Sequence, residues 1–460
     1  MVRLFKHYIP HAVLLLGLFD LVLLASAAEI GWRLRAGQLG IDPDAINRQW
    51  ELTGFAAIML TAMIAVGVYN AESLRSLRYA GARLLVAISL GTIGISFVDW
   101  AFRGGLFWRS TLAYAMAAAV LFLVANRLII GGILGAHAFR RRVLVLGAGH
   151  RADRLRQLGE RPEVGFVIVG YIGMSDAKPV IDEAINRSAI HNLKRFVENL
   201  GVSEVVLALE ERRNSLPLPD LLRIKTAGVH VNDFSSFIER ETGRVDLDTV
   251  NPSWLIFSDG FSSGRAVSSV AKRLFDIGAS CLLLLFTLPV IALFAVLVKL
   301  DSRGPAFFRQ RRVGLYGQPF HVIKLRSMCD DAEPAGAQWA TKNDPRVTRI
   351  GRFIRKVRID ELPQAWTVLK GEMSFVGPRP ERPEFVADLE DKLPYYAERH
   401  MVKPGITGWA QINYPYGASI EDSRHKLEYD LYYAKNYTPF LDLLIILQTL
   451  RVVLWREGAR

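Results

Sequence analysis

Lys272-Arg-Leu-Phe-Asp-Ile-Gly-Ala-Ser-Cys-Leu-Leu-Leu-Leu-Phe-Thr-Leu-Pro-Val-Ile-Ala-Leu-Phe-Ala-Val-Leu-Val-Lys299 is an apolar run with a proline in its middle and basic residues at both ends. Its length is enough to cross a bilayer, which takes about 20 apolar residues. Lys272 and Arg273 precede it, and Lys299, Arg303, Arg309, Arg311 and Arg312 follow it. Positive charge collects on the cytoplasmic side, so both ends favour the same face. Pro289 removes a backbone hydrogen bond and crowds the turn before it, so it is expected to kink or break the segment. A re-entrant helix over about 272–300, broken at Pro289, satisfies both conditions if the disturbed backbone is repaired within the protein. An ordinary fifth spanning helix would carry everything after Lys299 to the opposite face.

Toward the N-terminus lie four more apolar stretches, Ile9–Ala28, Phe55–Val68, Leu84–Val98 and Leu112–Asn126. They read as a four-helix membrane bundle over residues 1–138. Arg3 and Lys6, then Arg75, Arg78 and Arg83, then Arg140, Arg141 and Arg142 mark the cytoplasmic loops, whereas the other two loops mix Arg with Glu29, Asp42, Asp44, Glu51 and Asp99. The N-terminus and everything after Arg140 are therefore expected in the cytoplasm. Ala25-Ser-Ala27 has the small residues of a signal-peptidase site, but the apolar run before it exceeds a usual signal core, so the segment is expected to stay as a helix.

Composition agrees. Of 460 residues 51% are hydrophobic, yet Lys plus Arg outnumber Asp plus Glu by 57 to 45. A chain both basic and apolar suits a membrane protein facing anionic lipid or phosphate better than a soluble nucleic-acid binder. Cys281 and Cys329 are the two cysteines, too few for a disulfide framework or a zinc site.

Between the bundle and the broken segment, residues 139–265 read as an α/β domain. Val143-Leu-Val-Leu-Gly-Ala-Gly149 is a strand running into a glycine turn, followed by a helix to Glu160, strands at Phe166–Ile172 and Glu204–Leu209, and a helix at Ala189–Leu200. The pattern is doubly wound. Gly147-Ala-Gly149 with Ala152 is a G-x-G-x-x-A turn of the kind that lets a pyrophosphate approach a helix N-terminus. The acidic residue such sites place after the second strand is represented only by Asp176, so the domain reads as structural or regulatory before nucleotide-binding.

The chemistry gathers in residues 266–460. Phe308-Arg-Gln-Arg-Arg-Val-Gly314, Lys324-Leu-Arg-Ser-Met328 and Asp344-Pro-Arg-Val-Thr-Arg-Ile-Gly-Arg-Phe-Ile-Arg355 lead into Asp360-Glu361-Leu-Pro-Gln364. Arg346, Arg349, Arg352 and Arg355 recur every three residues and would lie along one drifting helical face. Arginine grips phosphate bidentately. The two carboxylates have two jobs open to them: both could hold Mg²⁺ against a diphosphate, or one could attack phosphorus while the other holds metal. Neighbours on a helix point about 100° apart, which makes divided roles natural. Pro363 places the pair at a helix start.

With Val376-Gly-Pro-Arg-Pro380, Pro404-Gly-Ile-Thr-Gly408 and the terminal set Tyr429, Asp430, Tyr433, Asn436 and Asp442, the stretch from about Lys272 to Trp455 resembles the polyprenyl-phosphate sugar-1-phosphate transferases, the monotopic phosphoglycosyl transferases of bacterial exopolysaccharide, capsule and O-antigen synthesis. The bundle and degenerate Rossmann-like domain are similar to those of the large members. The resemblance implies a mainly α-helical monotopic catalytic domain with a re-entrant helix, Asp360 as nucleophile on the β-phosphorus of a UDP-hexose, and Glu361 as ligand of Mg²⁺. It also implies release of UMP and transfer of the sugar phosphate to undecaprenyl phosphate. Gln310, Arg312, Lys324, Arg326, Arg352, Arg355 and Arg379 become substrate-binding candidates. Glucose or galactose is the sugar the resemblance suggests, glucose first. Membrane lipids and a homodimer are the other expected partners, with no nucleic acid, in the bacterial inner membrane. Where members of the family often have a small polar residue directly before the proline, this chain has Thr287-Leu-Pro289.

Two other readings compete. An NAD-dependent membrane nucleotide-sugar dehydratase would need Tyr-x-x-x-Lys, and no tyrosine here has a lysine four positions on. A non-enzymatic scaffold of a polysaccharide export complex would leave the carboxylates and arginines without a purpose.

Overall fold

The computed structural model describes residues 2–4, 7–9, 11–45, 47–69, 77–101, 109–133, 140–161, 164–174, 180–210, 216–250, 266–329, 344–415, 417 and 419–455. Compactness divides the chain after Thr242, apart from a few residues at the N-terminus.

In the first unit, helices His11–Leu39, Gln49–Val66, Leu77–Ala101 and Arg109–Ile133 supply four of the five described helices long and apolar enough to cross a membrane. Leu24, Ala28, Phe55, Met59, Met63, Ala87, Ala115 and Leu123 form their shared core. Lipid does not drive apolar helices together, so close packing must, and small residues permit it. At Gly31 an added Cβ would lie 2.6 Å from the Ala115 backbone nitrogen, so only glycine lets these two helices meet. The first helix runs well beyond the expected Ala28, and Arg33 extends it by pairing with Glu29 one turn back at 2.5 Å. Ala27, in the would-be cleavage motif, is buried in the bundle core. Leu15, Leu18, Phe19, Leu85, Ile93 and Leu121 face outward, as lipid contact requires. Inside the bundle Asp20 accepts hydrogen bonds from Arg127 Nη2 at 2.6 Å, Asn126 Nδ2 at 2.7 Å and Tyr69 OH at 2.8 Å, all four groups being buried or half-buried.

The same unit holds a five-stranded parallel sheet in the order Ile185–Asn186, Phe166–Gly173, Arg141–Leu146, Glu204–Leu207, His230–Asp233. Side chains alternate across a strand, so Val143 and Val145 join Leu155, Phe166 and Phe234 on one face, and Leu144 and Leu146 join Leu193, Val205 and Ile224 on the other. The expected doubly wound domain is present. Asn192 caps the Leu193–Asn199 helix through the Arg195 N–H, which shortens the helix expected from Ala189. Residues 243–250, grouped with this domain in the sequence reading, pack in the second unit instead. Val245 and Leu247 enter its core, and Val245 N donates to Glu428 O at 3.0 Å.

The second unit opens with helix Ala266–Asp301. Its apolar stretch is mostly exposed, with Leu282, Leu285, Phe286, Leu288, Leu293 and Val296 uncovered. Pro289 lies inside a helix that continues on both sides of it, so the proline does not end the segment as a break would. Thr287 Oγ1 donates to Leu283 O at 2.7 Å, a back-bond that bends helices, two residues ahead of the proline rather than directly before it. Both ends of the helix are fastened to the same unit. At the start, Arg273 donates to Val368 O and Leu369 O at 2.7 and 2.6 Å, and Asp276 Oδ1 accepts from Ser374 Oγ and Phe375 N at 3.0 Å. At the finish, Asp301 Oδ2 accepts from Ile350 N at 2.9 Å, and Ile291 and Val298 pack against Leu325 and Ile354.

An antiparallel hairpin, Phe307–Val313 with Pro319–Leu325, follows. Then come helix Arg349–Lys356, the 3-10 turn Ile359–Glu361 and helix Gln364–Lys370. Strand Ser374–Val376 pairs in parallel with Gly405–Thr407, and helices Pro383–Lys392, Ile420–Asn436 and Pro439–Trp455 complete the unit.

Candidate active site

Thr348 ends the loop before the basic helix by accepting from Gly351 N at 2.9 Å, so the helix begins at Arg349. Arg346 therefore lies outside it and pairs with Asp344 at 2.5 Å, which shortens the expected arginine row to Arg349, Arg352 and Arg355. Arg358, with φ +60°, turns the chain sharply after that helix, a conformation a non-glycine residue adopts at a cost and one that recurs where function fixes the backbone. Asp360 and Glu361 follow in the 3-10 turn, one short step before Gln364–Lys370.

The two carboxyls meet opposite surroundings. Asp360 is 8% exposed and its Oδ1 is buried with no hydrogen-bond partner. Burial, seconded by the neighbouring Glu361 charge, lifts its pKa to about 6 against the pull of Lys324, Arg358 and Arg355. Glu361 Oε1 accepts from Arg379 Nη2 at 2.7 Å and from Lys324 Nζ at 3.3 Å, and Arg358 Nη1 lies 3.7 Å from Oε2. Burial alone would raise Glu361, but Arg379, Lys324 and Arg358 outweigh it and hold the group well below the usual carboxylate range. Lys324 is lowered by burial, with Glu361 opposing.

A shallow cleft is lined by Arg312, Val322, Lys324, Gln364, Arg379, Pro380 and Gly405. Arg312 comes from the hairpin, its guanidinium directed by Gln310 Oε1 at 3.0 and 2.5 Å and by Pro380 O at 3.0 Å. Gln310 thus reaches the site through Arg312. Arg355 is half-buried and acts on Asp360 through its charge. Arg352 is exposed on the basic helix. Arg326 is elsewhere: buried, it donates to Val298 O at 3.4 Å, to Ser302 O at 2.7 Å and to Arg303 O, closing the C-terminal end of the Ala266–Asp301 helix. Its expected substrate contact is replaced by a structural one, because helix-end carbonyls left without partners take the nearest buried donor. Gln364, which lines the cleft, and Arg358, beside Glu361, are not among the residues the sequence singles out; Gln364 alone is signalled, by its place in Asp360–Gln364.

No cluster of three His, Cys, Asp or Glu side chains suited to a metal occurs among the described residues. Mg²⁺ needs fewer, since it keeps waters and takes one or two carboxylates plus substrate phosphate oxygens. The unpartnered Asp360 oxygen beside Glu361 fits that sparse requirement.

The glycine turn of the α/β domain is closed from within. Glu210 Oε1 accepts from His150 N at 2.7 Å, at the N-terminus of helix His150–Glu160, where a ligand phosphate would sit. A Cβ on Gly149 would come within 2.5 Å of that Glu210 oxygen, so this glycine accommodates the chain's own carboxylate. Asp176 lies outside the described residues.

Residues 267–456 match the family described as bacterial sugar transferase, and residues 64–215 match a CoA-binding domain. The chain is 30% identical to the UDP-glucose:undecaprenyl-phosphate glucose-1-phosphate transferase of Xanthomonas campestris pv. campestris, over 99% of this chain and 96% of that one. It is 32% identical to the enzyme of the same name from Escherichia coli, over 73% of each. It is 43% identical to the UDP-N-acetylgalactosamine-undecaprenyl-phosphate N-acetylgalactosaminephosphotransferase of Aeromonas hydrophila over 52% of this chain, spanning 56% of that relative's length.

Proposed function

The chain belongs to the bacterial sugar transferases, as a polyprenyl-phosphate sugar-1-phosphate transferase with membrane-spanning helices, and on that premise we propose that it moves a hexose 1-phosphate from a UDP-hexose to undecaprenyl phosphate through a covalent aspartyl intermediate. The observation that carries this reading is the pairing of one buried, unpartnered carboxylate oxygen on Asp360 with a neighbour, Glu361, held ionised by Arg379 and Lys324.

In the first step an oxygen of Asp360 attacks the β-phosphorus. The bond from that phosphorus to the bridging oxygen breaks, UMP leaves with the electron pair, and the sugar phosphate stays on Asp360. In the second step a phosphate oxygen of undecaprenyl phosphate attacks the same phosphorus and frees the carboxylate. Arg379, Lys324 and Arg312 line the cleft where the diphosphate charge would lie, and in-line phosphoryl transfer depends on such positioning and neutralisation. Mg²⁺, held by Glu361 with Asp360 beside it, would neutralise diphosphate charge when bound. The nucleophile needs no general base, because a group with pKa about 6 is mostly ionised at neutral pH.

Re-entry of helix Ala266–Asp301 is part of this reading, and the basic residues at both of its ends and the bonds that hold both ends support it. Both ends are bonded to one folded unit through Arg273, Asp276, Arg326 and Asp301. The catalytic unit then rests on the cytoplasmic face of the inner membrane, where UDP-sugars are found. Glucose or galactose is the donor, glucose first; the Aeromonas relative gives N-acetylgalactosamine as a second reading.

The test uses purified full-length protein with Mg²⁺, undecaprenyl phosphate and a panel of UDP-glucose, UDP-galactose and UDP-N-acetylgalactosamine. UMP release from one donor, abolished by Asp360→Asn, is expected. Release of UDP, or undiminished turnover in the variant, would overturn the mechanism.

A further inference from the structure

Several residues of the terminal pattern, Asp430, Tyr433 and Asp442, lie outside the cleft and have no part in the reaction above. They converge on the backbone of Val376-Gly-Pro-Arg-Pro380. Arg399 Nη2 donates to Arg379 O at 3.0 Å, while the same guanidinium donates to Asp430 Oδ2 at 2.7 Å from Nη2 and 3.1 Å from Nε, and to Tyr396 OH at 3.0 Å from Nη1. Three residues earlier, Val376 O accepts from Lys272 Nζ at 3.0 Å and from Tyr433 OH at 3.0 Å. Lys272 Nζ in turn donates to Asp442 Oδ2 at 2.6 Å. Each carbonyl thus meets a cation that a buried carboxylate and a tyrosine hydroxyl hold in place.

Pro378 and Pro380 have no N–H, so the loop can be fixed mainly through its carbonyls. Pro378 O accepts from Gly405 N at 2.9 Å and Pro380 O from Arg312 Nη1 at 3.0 Å. Val376 O and Arg379 O are the two held by the buried pairs. Such pairs add little net stability over apolar side chains of the same size, but they fix direction. Arg379 sits between the two grips, with its guanidinium 2.7 Å from Glu361.

We infer that Arg399, anchored by Asp430, and Lys272, anchored by Asp442, are positioning residues that clamp the loop on either side of Arg379 and so set where its guanidinium meets the diphosphate. The inference rests on the reading of Arg379 as a substrate contact. Lys272 lies on helix Ala266–Asp301 and Asp442 on helix Pro439–Trp455, so one jaw of the clamp is built from the unit's two most apolar helices.

The experiment is a double-mutant cycle on the full-length protein, reading UMP release from the UDP-sugar that wild type turns over. Arg379→Lys, Arg399→Lys and the double variant are compared, with melting curves to show that each is folded; Asp430→Asn replaces Arg399→Lys if the latter does not fold. Arg399→Lys is expected to lower turnover tenfold or more in the wild-type background and by no more than twofold in the Arg379→Lys background, since its effect passes through Arg379. Lys272→Gln is expected to follow the same pattern. An equal fold-loss in both backgrounds, or wild-type turnover of Arg399→Lys, would overturn the clamp. Wild-type turnover of Arg379→Lys is a separate failure: it would remove Arg379 from substrate binding, and the clamp with it.

Discussion

Asp360 and Glu361 are consecutive in one 3-10 turn, yet Glu361 Oε1 is shared by Arg379 and Lys324 while Asp360 Oδ1 is buried without a donor. Their acidities are driven in opposite directions, Asp360 up to about 6 and Glu361 well below the carboxylate range. Divided environments of this kind separate roles between paired carboxyls.

Turnover should fall as pH drops through about 6, because the attacking oxygen of Asp360 must be ionised. A rate profile from pH 5 to 8 at saturating substrate reads this directly. Glu361, lowered, should add no second acid limb in that range.

Asp360→Asn should abolish turnover and raise the melting temperature. A carboxyl raised from 3.8 to about 6 on folding destabilises the protein above pH 6, and that penalty vanishes below the unfolded value. Two units correspond to about 3 kcal/mol, an upper bound on the gain at pH 8. Melting curves at pH 8 and pH 4 should show the gain at the first and little at the second.

Arg379→Ala should lower turnover about 10²–10³-fold, the range for losing one preorganised charge contact to a transition state. Arg352→Ala, at an exposed position, should stay within about threefold of wild type and within ~0.5 kcal/mol in stability. Equal losses would return Arg352 to the site.

Arg326→Met should act on stability. It strips buried charge-assisted bonds from Val298 O and Ser302 O, at a cost on the order of 2–4 kcal/mol. A lowered melting temperature, with near-normal KM for the UDP-sugar in the folded fraction, distinguishes this from a substrate contact.

In the bundle, Asp20→Ala should leave Arg127 buried without its partner and cost about 3–5 kcal/mol, whereas Asp20→Asn with Arg127→Gln should recover most of it. Thermal unfolding in detergent reads both.

What could be read from the chain and what could not divides by distance along it. The apolar runs, the parallel sheet alternation at Val143–Leu146 and the juxtaposition of Asp360 with Glu361 are local patterns, and each appears in the structure. The partners of Glu361 come from Lys324, 37 residues before it, and Arg379, 18 residues after it, and only their motif company pointed to them. Arg326 turns away from the cleft because strand alternation ends at Leu325, after which its direction is set by helix-end carbonyls that sequence does not display. Asp20 and Arg127, 107 residues apart, and His150 and Glu210, 60 apart, carry no local signal of their pairing.

The fastening of both ends of helix Ala266–Asp301 to the unit that begins at Gly243 has an evolutionary consequence. On the proposed reading the lipid contact and the residues lining the cleft all lie within that unit, so the bundle and the α/β domain ahead of it could be gained, traded or shed between lineages while the chemistry travels intact.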